Sequence, residues 1–153
     1  HVLSGFAGGE AAEACVVQNL CYAADAAAPR GRTILIEPLN HHDAPGYFLN
    51  HTEKARRIIE AVGAPNLKLM FDCYHIQILE GDLTRRIDAN LDITGHIQFA
   101  GVPSRGRPDM GEVNYAHIFA HLAARGYDAP LGAEYRPEAG DTDASLGWMA
   151  ALR

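Results

Sequence analysis

Four side chains able to hold a hard cation or move a proton recur along this sequence at near-regular intervals. They are Glu37 in TILIEPL, Asp72 in LKLMFD, Gln98 in ITGHIQFAG and Glu134 in LGAEY. Each stands at or near the end of a short apolar run. The separations of 35, 26 and 36 residues are about the length of one strand-plus-helix unit. Carboxylates and an amide are oxygen donors, which suit Mg2+ or Mn2+ better than a metal that prefers thiolate. A charged group is costly to bury without a partner, and a shared cation would explain why Asp72 closes an apolar run. Taken singly, a carboxylate at a strand end is most often a helix N-cap or a solvated loop residue. Four in register point to a site.

Other residues border this set. His75 lies three positions beyond Asp72 and reads either as a satisfied histidine or as a member of the site. Arg105 falls in the long loop GVPSRGRPDMGEVNY, where it could clamp a substrate carboxylate or stand as a solvated charge. Long loops are often functional. His41 and His42 follow Glu37 in a polar loop and could border a substrate or do nothing. His117 and His121 have the i, i+4 spacing of a zinc pair but lack the glutamate of H-E-x-x-H, so they read as surface residues. Cys73 has no adjacent base of the kind a nucleophile needs and reads as packing.

The elements that must position these residues alternate in type. HVLSG is expected to be a strand leading into a glycine-rich loop. GGEAAEACVVQNLCYAADAAAPRG spaces Ala14, Val17, Cys21 and Ala24 for one helix face and ends in Pro29 and Gly31. TILIEPL is a continuous apolar run of the kind found in parallel strands covered on both faces. Asn50 and Glu53 resemble a capping box ahead of a helix with Ile58, Ile59 and Val62, closed at Gly63. LKLMFD is a strand, GDLTRRIDANLD a helix with Leu83, Ile87 and Leu91 four apart, and ITGHIQFAG a strand. A polar loop then runs to about Asn114, YAHIFAHLAARG is a helix stopped by Gly126, and LGAEY is the last strand. Such alternation predicts a parallel sheet. A parallel barrel would gather the four strand-end residues at its C-terminal mouth, where (β/α)8 enzymes carry their chemistry.

Composition bounds the function. The chain has 153 residues, 48% of them hydrophobic and 21% charged, which is ordinary for one globular core. Thirteen Lys and Arg against 19 Asp and Glu leave a net charge of −6, which argues against nucleic acid as a partner. No apolar run approaches a membrane span, and HVLSGFAGGE lacks the basic start of a signal peptide. Cys15, Cys21 and Cys73 form no C-x-x-C pair and read as reduced thiols. A cytoplasmic location is expected.

The stretches IEPLN, FDCYH, GHIQFAGVPSR, GEVNY and AEYRP, in this order and spacing, closely resemble the hydroxypyruvate isomerase and 2-oxo-tetronate isomerase family, within the xylose isomerase-like barrel superfamily. The resemblance implies an α/β fold made of the C-terminal five βα units, strands 4 to 8, of a (β/α)8 TIM barrel. Residues 1–153 would form one partial domain lacking the N-terminal units. It further implies a divalent metal, Mg2+ or Mn2+, held by Glu37, Asp72, Gln98 and Glu134, with Glu37 and Glu134 as the acid/base pair. His75 and Arg105 become substrate contacts, and Glu112 in GEVNY is a weaker candidate for the same rim. The implied reaction interconverts hydroxypyruvate and tartronate semialdehyde by proton transfer through an enediolate, an intramolecular oxidoreduction of the aldose-ketose type. Alternatives are 2-oxo-tetronate isomerisation, ketose 3-epimerisation or a barrel fragment without turnover. A metal-dependent nuclease is disfavoured by the acidic balance. The partner is expected to be a small hydroxy-keto acid, with room for a homo-oligomer.

Overall fold

The structure, a computed structural model, describes residues 1–151. Four strands, β1 (Ile34–Ile36), β2 (Leu67–Asp72), β3 (Thr94–Phe99) and β4 (Leu131–Ala133), pair in parallel in the order β1-β2-β3-β4. Helices separate them. α1 (Glu10–Ala27) precedes β1, α2 (Thr52–Val62) joins β1 to β2, and α3 (Cys73–Leu79) and α4 (Leu83–Asn90) join β2 to β3. α5 (Tyr115–Ala124) joins β3 to β4, and two short helices, α6 (Thr142–Ser145) and α7 (Trp148–Ala151), follow. No helix among the described residues is long and apolar enough to cross a membrane.

The helices pack by their apolar stripes. Leu20 and Ala24 of α1, Ile58 and Ile59 of α2, Leu83 and Ile87 of α4, and Ile118 and Leu122 of α5 are all buried. They surround strand residues such as Ile36, Leu67, Leu69, Phe71 and Ile97. Full burial of a side chain such as Ile58, which is 0% exposed, contributes about 1.5–3 kcal/mol from water exclusion. Gly63 and Gly126 close α2 and α5 at positive φ (66° and 79°), as their positions in the sequence suggest.

Three local expectations are corrected. The first concerns HVLSG, which is expected as a fifth strand. Its contact with β1 is one backbone bond, from Val2 N to Leu35 O (2.9 Å). Ser4 N then donates to Tyr47 Oη (2.9 Å), Ser4 Oγ accepts from Leu49 N (3.2 Å) and Gly5 O accepts from Phe48 N (2.8 Å). The loop after β1 thus takes the polar groups a ladder would have used. The second is the start of α2, where no Asn50–Glu53 capping box forms. His51 occupies the cap position without a side-chain bond. The Glu80 carboxylate, from the end of α3, accepts from Thr52 N (2.7 Å) and Thr52 Oγ1 (2.9 Å) and meets Arg86 at 3.2 Å. Third, α4 stops at Asn90, and Leu91 falls in a 3-10 turn over Leu91–Ile93.

The loop from 100 to 114 is braced. Gly101 N donates to Gly106 O (2.8 Å), Glu112 N to Val102 O (3.0 Å) and Tyr115 Oη to Ala100 O (2.7 Å). Gly111 has φ 103°, and a Cβ there would lie 2.1 Å from Val102 O, so only glycine fits this crossing. These bonds hold Arg105 over the ends of the strands.

Candidate active site and metal centre

Asp72 shows how the local sequence builds the site. β2 runs straight into α3, and Asp72 is the N-cap, its Oδ1 accepting from Tyr74 N (2.9 Å). That is the ordinary role of a strand-end aspartate. The other oxygen, Oδ2, is buried without a hydrogen-bond partner. Glu37 directly follows β1 and is 4% exposed. Its Oε2 is 3.4 Å from His1 Nε2, while Oε1 is buried and unpartnered. Gln98 on β3 pairs in register with Asp72, and its Oε1 is likewise buried without a partner. On the far side of Gln98, Gly132 leaves the space it needs: a Cβ there would come within 2.9 Å of His96 Nε2 and 3.3 Å of Gln98 Cγ.

Buried polar atoms are nearly always bonded. Among the described residues the unpartnered buried side-chain atoms are Glu37 Oε1, Asp72 Oδ2, Gln98 Oε1 and Tyr127 Oη. Three of these four oxygens belong to residues singled out as oxygen ligands. Glu37, Asp72 and His75 each offer a ligand atom within 4.8 Å of one another. The chemistry of this donor set fits a divalent cation that prefers oxygen.

The electrostatics have the same cause. Burial, reinforced by the charges of Asp72 and Glu134, pushes the Glu37 carboxyl from 4.5 up to about 8. Burial also raises Asp72 to about 7, against the opposing effect of its bond from Tyr74 and the charge of Arg105. His75, 2% exposed, is lowered to about 4 by burial and by Arg105. Without a cation, two close carboxyls out of water favour their neutral forms.

Arg105 and Glu134 form the rim. Arg105 lies 2.6 Å from Glu134 Oε2, 3.5 Å from Asp43 Oδ2 and 3.8 Å from Asp72 Oδ2. Its guanidinium sits 5.0 Å from the centre of the Tyr74 ring. Arg105 has φ 55°, a left-handed conformation that costs a non-glycine residue about 1–2 kcal/mol, and Arg136 N bonding to Arg105 O (2.7 Å) helps hold it. Glu134, just past β4, is exposed and turned to Arg105. Glu112 is also exposed and takes its bond from Gln77 Nε2 (3.2 Å), a contact outside the buried cluster.

Two residues that sequence reasoning passed over complete the floor. Asn40 is fully buried, and its Oδ1 accepts from His42 N (3.0 Å) and Asp43 N (2.9 Å). Its Nδ2 reaches Asp43 Oδ2 (3.2 Å) and His75 Nδ1 (2.8 Å). Burial works to raise Asp43, but bonds from Tyr74 and Asn40 and the charge of Arg105 together hold it below its usual value. The available signal was Asn40 after Pro38-Leu39, a residue type that folds its side chain onto the backbone just ahead. His41 and His42 are exposed. His117 is exposed and His121 bonds Asp88 (2.8 Å), as befits surface residues. Cys73 is wholly buried, and burial pushes its thiol up, which leaves it inert.

A sequence model of the family described as xylose isomerase-like TIM barrel matches residues 1–152. The chain belongs to that family. It is 48% identical over 97% of its length to a 2-oxo-tetronate isomerase of Cupriavidus necator, and 41% identical over 94% to a hydroxypyruvate isomerase of Escherichia coli. A crystal structure described as AP endonuclease, family 2, from Brucella melitensis superposes on the whole chain with TM-score 0.94 at 42% identity. This xylose isomerase-like chain spans 58% and 55% of the length of the two relatives and 60% of that structure.

Proposed function

We propose that this chain carries the metal-binding and proton-transfer part of an isomerase acting on a short hydroxy-keto acid, interconverting hydroxypyruvate and tartronate semialdehyde. The observation that carries the reading is the trio of buried oxygens without partners, Glu37 Oε1, Asp72 Oδ2 and Gln98 Oε1, at the ends of three adjacent parallel strands. Glu37, Asp72, Gln98 and Glu134 would hold Mg2+ or Mn2+, which when bound supplies Lewis-acid polarisation of the substrate oxygens.

The protein's own residues do the rest. The two isomers differ in which of two neighbouring carbons bears the transferred hydrogen and which oxygen bears the hydroxyl hydrogen. One of Glu37 and Glu134 takes the proton from the hydroxymethyl carbon, leaving an enediolate. The other delivers a proton to the adjacent carbon while the hydroxyl proton moves between the two oxygens. Glu37 is held mostly out of water, and burial raises it to about 8 in the metal-free chain; a bound cation would favour its charged form, the one that can take a proton. Arg105, already facing three carboxylates, supplies positive charge where an anionic substrate would enter.

A second reading is 2-oxo-tetronate isomerisation, favoured by the 48% identity to the Cupriavidus necator protein. Proton NMR in heavy water, with each substrate in turn, tests both. The expected outcome is conversion that stops with a chelator, returns with Mg2+ or Mn2+, and places deuterium on the carbon that receives the proton. The ratio of kcat/KM for the two substrates decides between the readings. Inversion at C3 of 2-oxo-tetronate with the carbonyl left at C2 would indicate an epimerase. Absence of conversion of either substrate by the intact protein would overturn the isomerase reading.

A further inference from the structure

His75 stands close enough to Glu37 and Asp72 to be counted with them as a possible ligand, yet its hydrogen bonds argue otherwise. A histidine that binds a metal through one ring nitrogen almost always donates the N–H of the other to an acceptor. Here the arrangement is reversed. Two donors converge on Nδ1: the backbone N–H of Asn40 at 3.1 Å and the Asn40 side-chain Nδ2 at 2.8 Å.

The orientation of the Asn40 amide is determined by its other bonds. Its Oδ1 accepts from two backbone N–H groups, His42 at 3.0 Å and Asp43 at 2.9 Å, and Nδ2 also donates to Asp43 Oδ2 at 3.2 Å. A flipped amide would face two donors with an NH2 and a carboxylate with an oxygen. Nδ2 therefore points at His75, and Nδ1 must be bare to accept. In a neutral imidazole the hydrogen then sits on Nε2, the nitrogen that faces Asp72 Oδ2 at 3.7 Å. A protonated Nε2 has no lone pair to give a cation. Moving the hydrogen to Nδ1 would set it against two N–H groups inside a buried pocket, since Asn40 is 0% and His75 2% exposed.

We propose that Asn40 is a positioning residue that locks His75 in the Nε2–H tautomer, so that His75 serves the site as a fixed hydrogen-bond donor and not as a metal ligand. The isomerase reading determines only what accepts that bond, a substrate oxygen that gains negative charge during proton transfer. The tautomer itself follows from the bonds around Nδ1.

The test is 15N NMR of the intact protein labelled at histidine, with and without Mg2+. The His75 signals are identified among the eight histidines by their loss in His75→Gln. The expected spectrum has Nδ1 in the range of a bare, pyridine-like nitrogen and Nε2 in the range of an N–H nitrogen, unchanged by saturating Mg2+. Asn40→Asp, which replaces the side-chain donor by an acceptor and leaves only the backbone N–H at Nδ1, should shift the tautomer population toward Nδ1–H and lower kcat roughly 10- to 100-fold. His75→Gln should weaken Mg2+ binding, measured by calorimetry, by less than about tenfold. A bare Nε2, an Nε2 signal that moves with Mg2+, or a loss of affinity beyond roughly 100-fold would overturn the proposal, as would an Asn40→Asp spectrum identical to the parent. If Asn40→Asp does not fold, the parent spectrum and the His75→Gln titration still decide. Absence of turnover with the predicted spectrum would sink the isomerase reading and leave the tautomer standing.

Discussion

Two buried acidic places in this chain are built in opposite ways. At the start of α2, the Glu80 side chain is 4% exposed, and its oxygens are used: they accept from Thr52 N and Thr52 Oγ1 and face Arg86. At the strand ends, the Glu37 and Asp72 side chains are 6% and 1% exposed, and each keeps one oxygen with no partner. Burial of a carboxylate therefore does not by itself mark a site. Glu80 caps a helix and is complete within the fold, whereas Glu37 and Asp72 each keep an oxygen with no partner among the described residues. At the strand ends, burial pushes Glu37 to about 8 and Asp72 to about 7.

The comparison can be broken most directly at Glu37. Glu37→Gln should lower kcat by about 10²–10⁴-fold, the range for losing a positioned acid or base, while the metal-free protein keeps or gains stability at pH 8. Steady-state kinetics and thermal melts check both parts, and a variant that loses stability without losing turnover would place Glu37 with Glu80.

The next effect is on pH dependence. The folded-state values of Glu37 and Asp72 lie above their ordinary values of 4.5 and 3.8, so the metal-free folded chain binds more protons than the unfolded one. This contribution to stability is full below about pH 4 and is lost as pH rises through about 7 and 8. The stability of the metal-free protein should therefore fall between pH 5 and pH 8, by up to about 1.4 kcal/mol per pH unit for each such group; its melting temperature should fall with it, and Mg2+ should restore it most at the alkaline end. A flat profile would mean that the two carboxyls find partners in solution.

At the rim, Arg105→Gly removes the guanidinium while suiting the left-handed backbone at φ 55°. Substrate affinity should drop by roughly 10- to 100-fold, as for a lost charge-assisted contact of about 1.5–3 kcal/mol, with KM rising more than kcat falls. The smallest effect is expected at Glu80. Glu80→Gln exchanges one acceptor oxygen for a donor and should cost about 1–2 kcal/mol in denaturant unfolding, with turnover unchanged. If turnover falls with it, the two acidic places are coupled after all.

Much of the candidate site's geometry was legible because it depends on local rules. A strand that ends in an ionisable group, followed by a helix, recurs at Asp72 and Glu37, and the register that sets Gln98 beside Asp72 follows from parallel pairing. Asn40 and Asp43 were harder to see, because their role depends on Nδ2 of Asn40 meeting His75, 35 positions away. Glu112 carried a motif but not a place in the cluster, since its partner is Gln77.

By itself the sequence determined the alternation of parallel strands and helices, the glycine stops of α2 and α5, and which residues stand at the strand ends. Those features rest on continuous apolar runs, on the 3.6-residue helix period and on backbone freedom at single positions, which need no distant partner. Tertiary structure alone decided that Glu80 caps α2 in place of Asn50 and Glu53, that HVLSG binds a loop more than a strand, and that Asn40 sets the hydrogen on His75. Each is a contest between hydrogen-bond partners far apart in the chain, and only the folded arrangement brings the competitors within reach.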